Sequence, residues 1–258
     1  MPVQKFVRFL ASAGAPQWGR LDGAMIQPLS AAPYNHPAPA GEPVAADAVR
    51  LLAPVAPPKI FAIGLNYRSH LGSRPVPPAP EVFYKPTTCL VGPGDQIVIP
   101  HNAANVHFEG ELVLVIGRTA SRVTVDDAPN YIFGVTCGND VSERDWQRGP
   151  SRDLQWWRAK GADTFGPTGP VVASGLDYNN LGLTTRLNGE VVQQQTTADL
   201  IFSAATIVSY VSQNVTLEPG DLVFTGTPGT TKAMAAGDIV EVELSGIGIL
   251  RNPVTKAQ

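Results

Sequence analysis

The sequence predicts a mostly β fold of the α+β class, in which short strands coil into a sandwich or roll. Short apolar and β-branched runs recur along the chain, separated by turn signatures such as Gly92-Pro93-Gly94-Asp95 and Glu218-Pro219-Gly220-Asp221. The 25 glycines and 24 prolines among 258 residues are typical of a chain with many turns. Apolar residues follow helical spacing in only a few segments, which argues against a helical bundle.

Residues 1–57 are predicted to form a small N-terminal β-rich domain with a proline-rich connector. Residues 3–10 and 17–27 alternate well enough for short strands. Between residues 32 and 58 the prolines are frequent enough to prevent a sustained helix or a central strand. Residues 58–258 are left for one larger domain, which we expect to carry the chemistry.

The larger domain is predicted to open with the buried strand Ile60–Gly64. The Pro- and Gly-rich segment that follows, up to residue 80, is predicted to be a loop that acts as a lid. The clearest helix is expected from Ala198 to about Ser212 with Thr197 as its cap, because apolar residues recur there at i, i+3 and i+4. Further predicted elements are strands at Phe83–Pro86, Gln96–Pro100, Leu222–Phe224 and Ile239–Leu244, and a hairpin turning at Asn188-Gly189.

Composition and charge argue for a small-molecule ligand. A net charge of −3 and a pI near 5.8 offer no basic surface for nucleic acid or an anionic membrane. No stretch approaches the roughly 18 apolar residues of a spanning helix, and Met1–Lys5 opens no secretory signal. Cys89 and Cys137 are too few for a disulfide framework and lack metal-type spacing, so we interpret them as packing residues. A cytoplasmic protein is therefore predicted.

The stretch most informative about function is the strand predicted from Glu109 to Ile116. Side chains two apart share one face of a strand, so Glu109 and Glu111 are expected side by side. Two such carboxylates repel by roughly 4 kcal/mol at about 4 Å and an effective dielectric constant of about 20. A shared proton, an arginine or a divalent cation would each relieve that repulsion, whereas a strand at the rim would let both glutamates reach solvent. With Asp140 at the end of the next apolar run, three carboxylates would suit Mg²⁺ or Mn²⁺.

Two further segments could supply substrate contacts and a proton carrier. A short helix is expected over Ser142–Gln147. If Asp140 caps it, Arg144 and Gln147 lie on one side and could grip a carboxylate and a carbonyl; a solvated helix surface is the alternative. Lys160 lies in an aromatic segment and could shuttle protons near a cation, although most lysines are simply on the surface.

Among the histidines, His70 is the best-placed general base, because it follows a buried strand and opens the lid; a hydrogen-bonded loop histidine is the alternative. His107 is interpreted as a structural or supporting residue beside the acidic pair. The turn Thr225-Gly226-Thr227-Pro228-Gly229 could offer amides and hydroxyls to an anion, although such turns are usually only turns. No Walker, dinucleotide or Gly-x-Ser-x-Gly pattern occurs.

From about Ile60 to Val254 these segments resemble the fumarylacetoacetate hydrolase family. The motifs that carry the resemblance are Gly64-Leu65-Asn66-Tyr67-x-x-His70, Phe83-Tyr84-Lys85-Pro86, Glu109-Gly110-Glu111-Leu112, Gly138-Asn139-Asp140-Val141-Ser142-x-Arg144-Asp145-x-Gln147, Lys160-x-x-Asp163-Thr164-Phe165, Leu187-Asn188-Gly189-Glu190 and Phe224-Thr225-Gly226-Thr227-Pro228. The resemblance implies the mixed β-sandwich roll of the family's C-terminal domain, usually as a homodimer. It also implies Mg²⁺ or Mn²⁺ held by Glu109, Glu111 and Asp140.

The resemblance further implies roles around the metal. Arg144 and Gln147 would contact the substrate, and Lys160 would assist proton transfer or stabilise an enolate. The turn Thr225-Gly226-Thr227 would hold the substrate carboxylate. Family substrates are 2-oxo acids and their enols, such as acylpyruvates, ring-cleavage products of the hydroxymuconate type and oxaloacetate. The metal would act as a Lewis acid toward C–C cleavage, decarboxylation or tautomerisation.

The chain departs from the family pattern at the lid. Hydrolytic members often pair the lid histidine with a glutamate three residues later, whereas this chain has Ser73; Glu81 or Glu143 could substitute. The sequence favours a metal-dependent hydrolase of C–C bonds in acylpyruvate-like substrates, active in the breakdown of aromatic compounds. An isomerase, tautomerase or oxaloacetate-type decarboxylase on the same site is the alternative. An alternative of a different class is a metal-retaining binding protein without catalytic activity.

Overall fold

The structure, a computed structural model, describes residues 2–11 and 14–257. Within these residues the chain forms nineteen β-strands and three α-helices. The strands are β1 (Gln4–Leu10), β2 (Gln17–Asp22), β3 (Met25–Leu29), β4 (Val44–Ala45), β5 (Arg50–Leu52), β6 (Ile60–Gly64), β7 (Glu81–Lys85), β8 (Leu90–Val91), β9 (Ile97–Ile99), β10 (Val106–His107), β11 (Gly110–Ile116), β12 (Ile132–Asn139), β13 (Ser142–Glu143), β14 (Gly166–Ser174), β15 (Gly182–Leu187), β16 (Glu190–Thr196), β17 (Leu222–Phe224), β18 (Ile239–Leu244) and β19 (Gly248–Lys256). The helices are α1 (Arg68–Leu71), α2 (Arg144–Arg148) and α3 (Ala204–Ser212). In the described part of the chain, none of the helices is long and apolar enough to cross a membrane.

Most strands belong to two sheets that pack face to face. The larger sheet has twelve strands and a main path of β4-β3-β2-β1-β14-β12-β11-β17-β6-β7, with β5 paired to β1 and β8 to β14. The smaller sheet has five strands in the order β16-β15-β18-β19-β9. Strands β11, β12 and β14 pack against β15, β18 and β19, which is the layer arrangement of a sandwich. The predicted mostly β sandwich or roll is confirmed.

The N-terminal segment is rich in strands, as predicted, and it extends the larger sheet. β1 pairs antiparallel with β14, with Phe6 opposite Val172. The proline-rich stretch that follows contributes only the two short strands β4 and β5. The first five strands are therefore joined to the rest of the fold by backbone hydrogen bonds.

Strand β11 lies inside the larger sheet, between β12 and β17, and all of its residues are buried. Leu112, Leu114 and Ile116 pack into a hydrophobic cluster that includes β15, β18 and α3. Val113 and Val115 pack into a second cluster on the opposite face of the strand. The prediction of a strand buried on both faces is confirmed, and the strand becomes a fixed support for the acids at its beginning.

Helix α3 begins later than the sequence predicts. Thr197 to Asp199 form a single 3₁₀ turn, and the α-helix starts at Ala204 with Ser203 as its cap, whose hydroxyl accepts the amide of Thr206. Between these elements the backbone is held by Asn66, which accepts the amide of Ile201 on its carbonyl and that of Phe202 on its side chain. These long-range bonds compete with helical ones, so the apolar spacing from Ala198 onward misplaced the helix start.

Helix α2 also differs from its predicted position. It begins at Arg144, because Ser142 and Glu143 form strand β13 with β10. Glu143, and not Asp140, caps it by accepting the amide of Trp146. Asp140 is thereby left out of the helix and available to the site described below.

Strands β6 and β17 run parallel, with Ile60 opposite Leu222 and Ala62 opposite Phe224. Parallel strands end at the same edge of a sheet, so the loop after Gly64 and the turn after Phe224 leave the sheet side by side. β11 runs antiparallel to both β17 and β12, so its acidic beginning and the end of β12 reach this edge too. The topology therefore brings four sequence motifs to one place.

Candidate metal centre and active site

Three buried carboxylates converge at this edge. Glu109 directly precedes β11, Glu111 is the second residue of β11, and Asp140 follows the end of β12. β11 and β12 pair with Gly110 opposite Asn139, which fixes the three side chains near one another. One oxygen from each lies within 4.8 Å of the others, and all three residues are at most 4% exposed. The structure thus brings together the three acids that the sequence singled out.

Three cationic side chains contact these acids. The Lys160 ammonium lies 2.5 Å from both Glu109 Oε2 and Asp140 Oδ2. The Lys85 ammonium, which is fully buried, lies 2.6 Å from Asp140 Oδ1 and also donates to the Lys160 carbonyl. Arg144 donates to Glu109 Oε1 at 2.5 Å. Glu109 and Asp140 therefore each have two cationic partners.

Glu111 is different, because its recorded hydrogen bond comes from a backbone amide, that of Gly226 at 2.7 Å from Oε2. Burial raises the pKa of Glu111 well above its ordinary value, and the neighbouring charges of Asp140 and Glu109 raise it further. Burial alone would also raise the pKa of Glu109, but the charges of Arg144 and Lys160 outweigh it and hold that pKa low. Among the described residues, Glu111 is thus the acid of the triad that has no cation in contact with it.

This donor set fits a divalent cation. Three carboxylate oxygens at this separation are hard ligands of the type that Mg²⁺ and Mn²⁺ prefer. A buried carboxylate needs a compensating charge, and Glu111 is the one that has none among the described residues. An arginine is one of the partners that the sequence allows for the two glutamates. Arg144 fills that role for Glu109, and Glu111 remains available to a cation.

Arg144 and Gln147 are brought together on α2. Arg144 Nη1 donates to Gln147 Oε1 at 2.8 Å, while Nη2 contacts Glu109 and the Thr231 hydroxyl. The guanidinium is therefore largely committed to protein groups. Because Gln147 accepts on its oxygen, its amide NH₂ is left to face the cavity that it lines.

His70 lies on α1, within the loop predicted to be a lid. Its Nδ1 lies 2.6 Å from the Gly229 carbonyl oxygen, which can only accept, so Nδ1 carries the proton. Nε2 is then free in the neutral ring and lies 3.9 Å from Glu109 Oε1. Burial lowers the pKa of His70 below its ordinary value, although Glu109 and the Gly229 carbonyl act in the opposite direction. The lowered pKa favours the neutral imidazole, which presents a lone pair at Nε2.

Neither glutamate considered as a partner for His70 is in contact with it. Glu143 is buried and its carboxylate accepts the amides of Trp146, Asn105 and Ala104. Glu81 lies exposed on the edge strand β7. Since Ser73 stands where the family's glutamate would be, the Gly229 carbonyl is the group that orients the imidazole.

His107 does not contact the acids. Its ring lies between the Thr231 hydroxyl, 2.9 Å from Nδ1, and Asn105 Oδ1, 2.7 Å from Nε2. Burial and the charge of Arg144 lower its pKa to about 4. Thr231 also accepts from Arg144, so His107 supports the site indirectly.

The turn after β17 holds Glu111 in place. Gly226 adopts φ +103°, where a β-carbon would press on Asn66, and this conformation directs its amide at the Glu111 carboxylate. The Thr225 hydroxyl donates to the Leu112 carbonyl, and that of Thr227 donates to the Gly110 carbonyl. Thr227 lines the cavity, whereas Thr225 is turned into the core. Both hydroxyl protons are committed to backbone, so neither is free to donate to a ligand.

A cavity of about 200 Å³ joins these groups. Glu109, Glu111 and Lys160 lie on its buried floor, and the exposed residues Arg74 and Arg148 lie at its mouth. A larger cleft of about 1520 Å³ lies beyond Trp156, which borders both. The smaller cavity holds the converging charged groups and is the candidate active site.

Sequence reasoning missed two residues that build this site. In the sequence, Lys85 stands out only as part of the motif Phe83-Tyr84-Lys85-Pro86. It lies on the buried face of β7 together with Phe83, and a lysine on a buried face indicates an acidic partner. Asn66 donates to the carbonyls of Thr225 and Phe202 and thereby ties the loop after β6 to the turn after β17. Its signal was a polar side chain two residues after the end of a buried strand.

Most of the chain matches known sequence families. Residues 59–255 match the model described as fumarylacetoacetate (FAA) hydrolase C-terminal, and residues 4–54 match the one described as Rv2993c-like, N-terminal. Protein Rv2993c of Mycobacterium tuberculosis is 40% identical over 260 residues, covering 96% of this chain and 97% of that protein. Oxaloacetate tautomerase FAHD2A, mitochondrial, of Homo sapiens is 38% identical over 219 residues, covering 80% of this chain and 69% of that protein.

Solved structures show the same fold. The 2-hydroxyhepta-2,4-diene-1,7-dioate isomerase from Mycobacterium marinum is 38% identical with a TM-score of 0.90, and the likeness covers 98% of both chains. Maleylpyruvate hydrolase from Sphingobium sp. SYK-6, solved in complex with manganese(II) ion and pyruvate, is 25% identical with a TM-score of 0.80, covering 98% of this chain and 100% of that one.

Proposed function

Since the chain belongs to the fumarylacetoacetate hydrolase family, whose members include isomerases, tautomerases and hydrolases, we propose that it is a divalent-metal-dependent tautomerase of small 2-oxo carboxylates. Its reaction would move a proton between the carbon next to the 2-oxo group and the oxygen of the enol. The observation that carries the proposal is the orientation of His70, which lines the same cavity as Glu109 and Glu111 and has its unprotonated Nε2 3.9 Å from Glu109 Oε1.

Glu109, Glu111 and Asp140 would hold the metal, Mg²⁺ or Mn²⁺. Glu111 accepts a hydrogen bond from the Gly226 amide and has no cation in contact among the described residues, which supports this assignment. The related maleylpyruvate hydrolase, solved in complex with manganese(II) ion, is consistent with it. When bound, the ion would act as a Lewis acid that stabilises negative charge on the 2-oxo oxygen. The three acids and the cations Lys85, Lys160 and Arg144 sum to zero formal charge although none of the cations contacts Glu111, so a divalent ion would leave the site at a net charge of +2, which suits an anionic substrate.

His70 would take the proton from carbon. A base for this step must be neutral at rest, and the burial that lowers its pKa keeps it so. Lys160 would return a proton or hold the enolate charge from the cavity floor, and the amide NH₂ of Gln147 would hold the substrate carboxylate. Arg144 would mainly position Glu109 and Gln147, because its guanidinium is already bonded to both.

The partner of His70 favours tautomerisation over C–C hydrolysis. Hydrolysis requires a water molecule to be deprotonated, and a carboxylate on Nδ1 would stabilise the imidazolium that results. Among the described residues the group on Nδ1 is a backbone carbonyl, which is neutral. Tautomerisation needs no hydrolytic nucleophile, so it does not depend on the deprotonation of a water molecule.

The size of the cavity also favours a small substrate. At about 200 Å³ it lies below the roughly 300–1,000 Å³ of drug-sized ligand sites. A four-carbon 2-oxo acid such as oxaloacetate fits that space better than a long ring-cleavage product does. The relatives described as oxaloacetate tautomerases support this choice.

A second candidate is C–C hydrolysis of an acylpyruvate in aromatic catabolism. The free Nε2 of His70 is equally placed to take a proton from water, and the related maleylpyruvate hydrolase was solved with pyruvate. The two candidates share the metal, the substrate carboxylate and the base. They differ in whether a water molecule reacts.

The test is an assay of purified protein with Mg²⁺ or Mn²⁺ on three reactions. Enol oxaloacetate is followed by its ultraviolet absorbance, acetylpyruvate by release of pyruvate, and keto oxaloacetate by release of CO₂, each after subtraction of the rate with metal alone. We expect acceleration of the enol–keto conversion. Pyruvate release from acetylpyruvate would establish the hydrolase instead, and CO₂ release would establish a decarboxylase. Metal binding without any of the three would overturn the enzymatic proposal in favour of a binding protein.

We also propose a cytoplasmic homodimer. The wall of the larger cleft exposes Tyr84, Leu154 and Trp157, an apolar surface of the kind that a second copy would cover. Cys89 and Cys137 are buried free thiols, in keeping with a reducing compartment. Light scattering on the purified protein would give the mass of the assembly, and a monomer at micromolar concentration would contradict the dimer.

A further inference from the structure

Two arginines at the mouth of the candidate active-site cavity form no ion pair with the part of the chain that the structure describes. Arg74 lies in the loop after α1 and Arg148 is the last residue of α2, and both line the cavity. Within residues 2–11 and 14–257, no carboxylate lies within 4.0 Å of either guanidinium. The other cations of the site, Lys85, Lys160 and Arg144, are each paired with a buried acid. The mouth therefore carries positive charge that the protein itself does not balance.

The two guanidiniums are also close enough to repel. Partial burial lowers the pKa of Arg148, the nearby charges of Arg144 and Arg74 lower it further, and the charge of Glu109 acts in the opposite direction. Arg74 donates to the carbonyls of Leu71 and His70 and has one terminal nitrogen left. Arg148 has no recorded side-chain hydrogen bond in the described chain. Like charges held together without a counter-ion form a site for an anion.

We propose that Arg74 and Arg148 bind the distal carboxylate of a dicarboxylic 2-oxo acid and so make the enzyme selective for dicarboxylates. The inference deepens the proposed function and rests on it. The 2-oxo acid end would lie at the acidic floor with the metal, and the second carboxylate would reach the mouth of the same cavity.

The dimensions support a substrate with a short spacer. A cavity of about 200 Å³ is smaller than the roughly 300–1,000 Å³ of drug-sized ligand sites, which favours few carbon atoms between its floor and its mouth. Two arginines suit the planar carboxylate, which accepts paired N–H bonds. A monocarboxylate such as acetylpyruvate would leave the arginine pair unused.

Arg148 is the cleaner probe, since Arg74 also holds two carbonyls at the end of α1. We would compare wild type, Arg148→Gln and the double variant Arg74→Gln/Arg148→Gln on enol oxaloacetate and on its 4-methyl ester, which removes the distal charge. Arg152→Gln is the matched control, because Arg152 is also exposed, lies four residues further along the chain and is not part of the cavity wall. Oxalate inhibition reports on the floor alone.

In Arg148→Gln, kcat/KM for oxaloacetate should fall about 10- to 100-fold, mostly through KM, the effect expected of a charge-assisted hydrogen bond. The rate on the methyl ester, the inhibition by oxalate and the Arg152→Gln control should stay unchanged. An equal loss on oxaloacetate and its ester, or no loss on oxaloacetate, would overturn the proposal.

A binding measurement separates this inference from the proposed function. Oxaloacetate and pyruvate are titrated calorimetrically into the Mg²⁺-loaded protein. If the wild type turns over neither substrate yet binds oxaloacetate more tightly, and Arg148→Gln abolishes the preference, the tautomerase fails and the dicarboxylate site stands. Equal affinity for the two ligands in the wild type refutes the site, whatever the activity.

Discussion

The two cavities that meet at Trp156 differ in size and in chemistry. The larger, about 1520 Å³, is bordered by the edge strand β7 and an exposed aromatic segment that includes Trp157. The smaller, about 200 Å³, is lined by the buried acids Glu109 and Glu111, by Lys160 and by His70. A choice by volume alone would take the larger cleft as the candidate active site. The comparison teaches that the candidate active site is marked by charged groups that the fold has forced together out of water.

The supports of the two cavities differ as well. Glu111, on the floor of the smaller cavity, lies on β11, and Ile63 and Gly64 in its wall lie at the end of β6; both are interior strands of the larger sheet. The wall of the larger cleft is formed by β7, which ends the path of that sheet, and by residues 154–163, which lie outside the strands and α-helices. Rigid strands suit chemistry, and an exposed apolar edge suits association. Substitutions on either side of Trp156 should therefore have separable effects.

The largest effect is expected from Glu111→Gln. The variant keeps the shape of the side chain and removes the carboxylate of the triad that has no cation in contact among the described residues, so Mn²⁺ affinity should be lost and activity should fall at least about 1,000-fold. Calorimetric Mn²⁺ titration checks the binding and circular dichroism the fold. Glu190→Gln, at an exposed glutamate on β16, is the matched control. Wild-type Mn²⁺ affinity in Glu111→Gln would refute the ligand assignment.

A smaller loss is expected from His70→Gln, which should lower kcat about 100- to 1,000-fold and leave Mn²⁺ binding intact. Because burial lowers the pKa of His70, protonation of the base should cut wild-type activity only as the pH falls below about 6.5, its ordinary value. The profile is recorded at saturating metal, since protons also compete for Glu111. An acidic limb that persists in His70→Gln would assign the titration to another group.

Lys85→Met should act on stability first. It removes a fully buried partner of Asp140, and breaking a buried ion pair costs about 3 kcal/mol of the free energy of unfolding. Urea denaturation measures the loss. Added Mn²⁺ should stabilise this variant more than the wild type, because the ion would supply the charge that Asp140 has lost. Equal stabilisation of both proteins would separate Lys85 from the metal site.

The smallest effect on catalysis is expected from Trp157→Ser, across Trp156 in the larger cleft. Trp157 is 65% exposed, so turnover per chain should stay within about twofold, while light scattering should show a loss of dimer. Val125→Ser, at an exposed apolar residue that does not line the cleft, is the control. A loss of activity as large as that in His70→Gln would mean that the two cavities are not independent.

Much of the framework followed from local patterns. The aliphatic run after Glu111 predicted a strand buried on both faces, and Asn188-Gly189 predicted the hairpin, where both residues have positive φ. Period-two spacing likewise placed the two glutamates on one side. These predictions hold because each depends on neighbours within a few positions.

What could not be predicted depends on partners far along the chain. The Gly229 carbonyl that orients His70 is 159 residues away, and Asp140 is 55 residues from Lys85. The predicted start of α3 was wrong because Asn66, in the loop after β6, binds the backbone just before the helix. Local spacing carries no information about which strands become neighbours, and that pairing decides these contacts.

The parallel pairing of β6 with β17 leaves the surface loop that follows β6 separate from the strands that hold the buried acids, and this separation matters for redesign. The acids of the floor are anchored in interior strands, while residues 72–80 hang from the sheet edge as a surface connection. Replacing residues 72–80 with the corresponding loop of a relative would change the side chains at the mouth of the cavity and leave the buried carboxylates in place. Exchange of this loop is therefore a route to new substrate selectivity that leaves the two sheets unchanged.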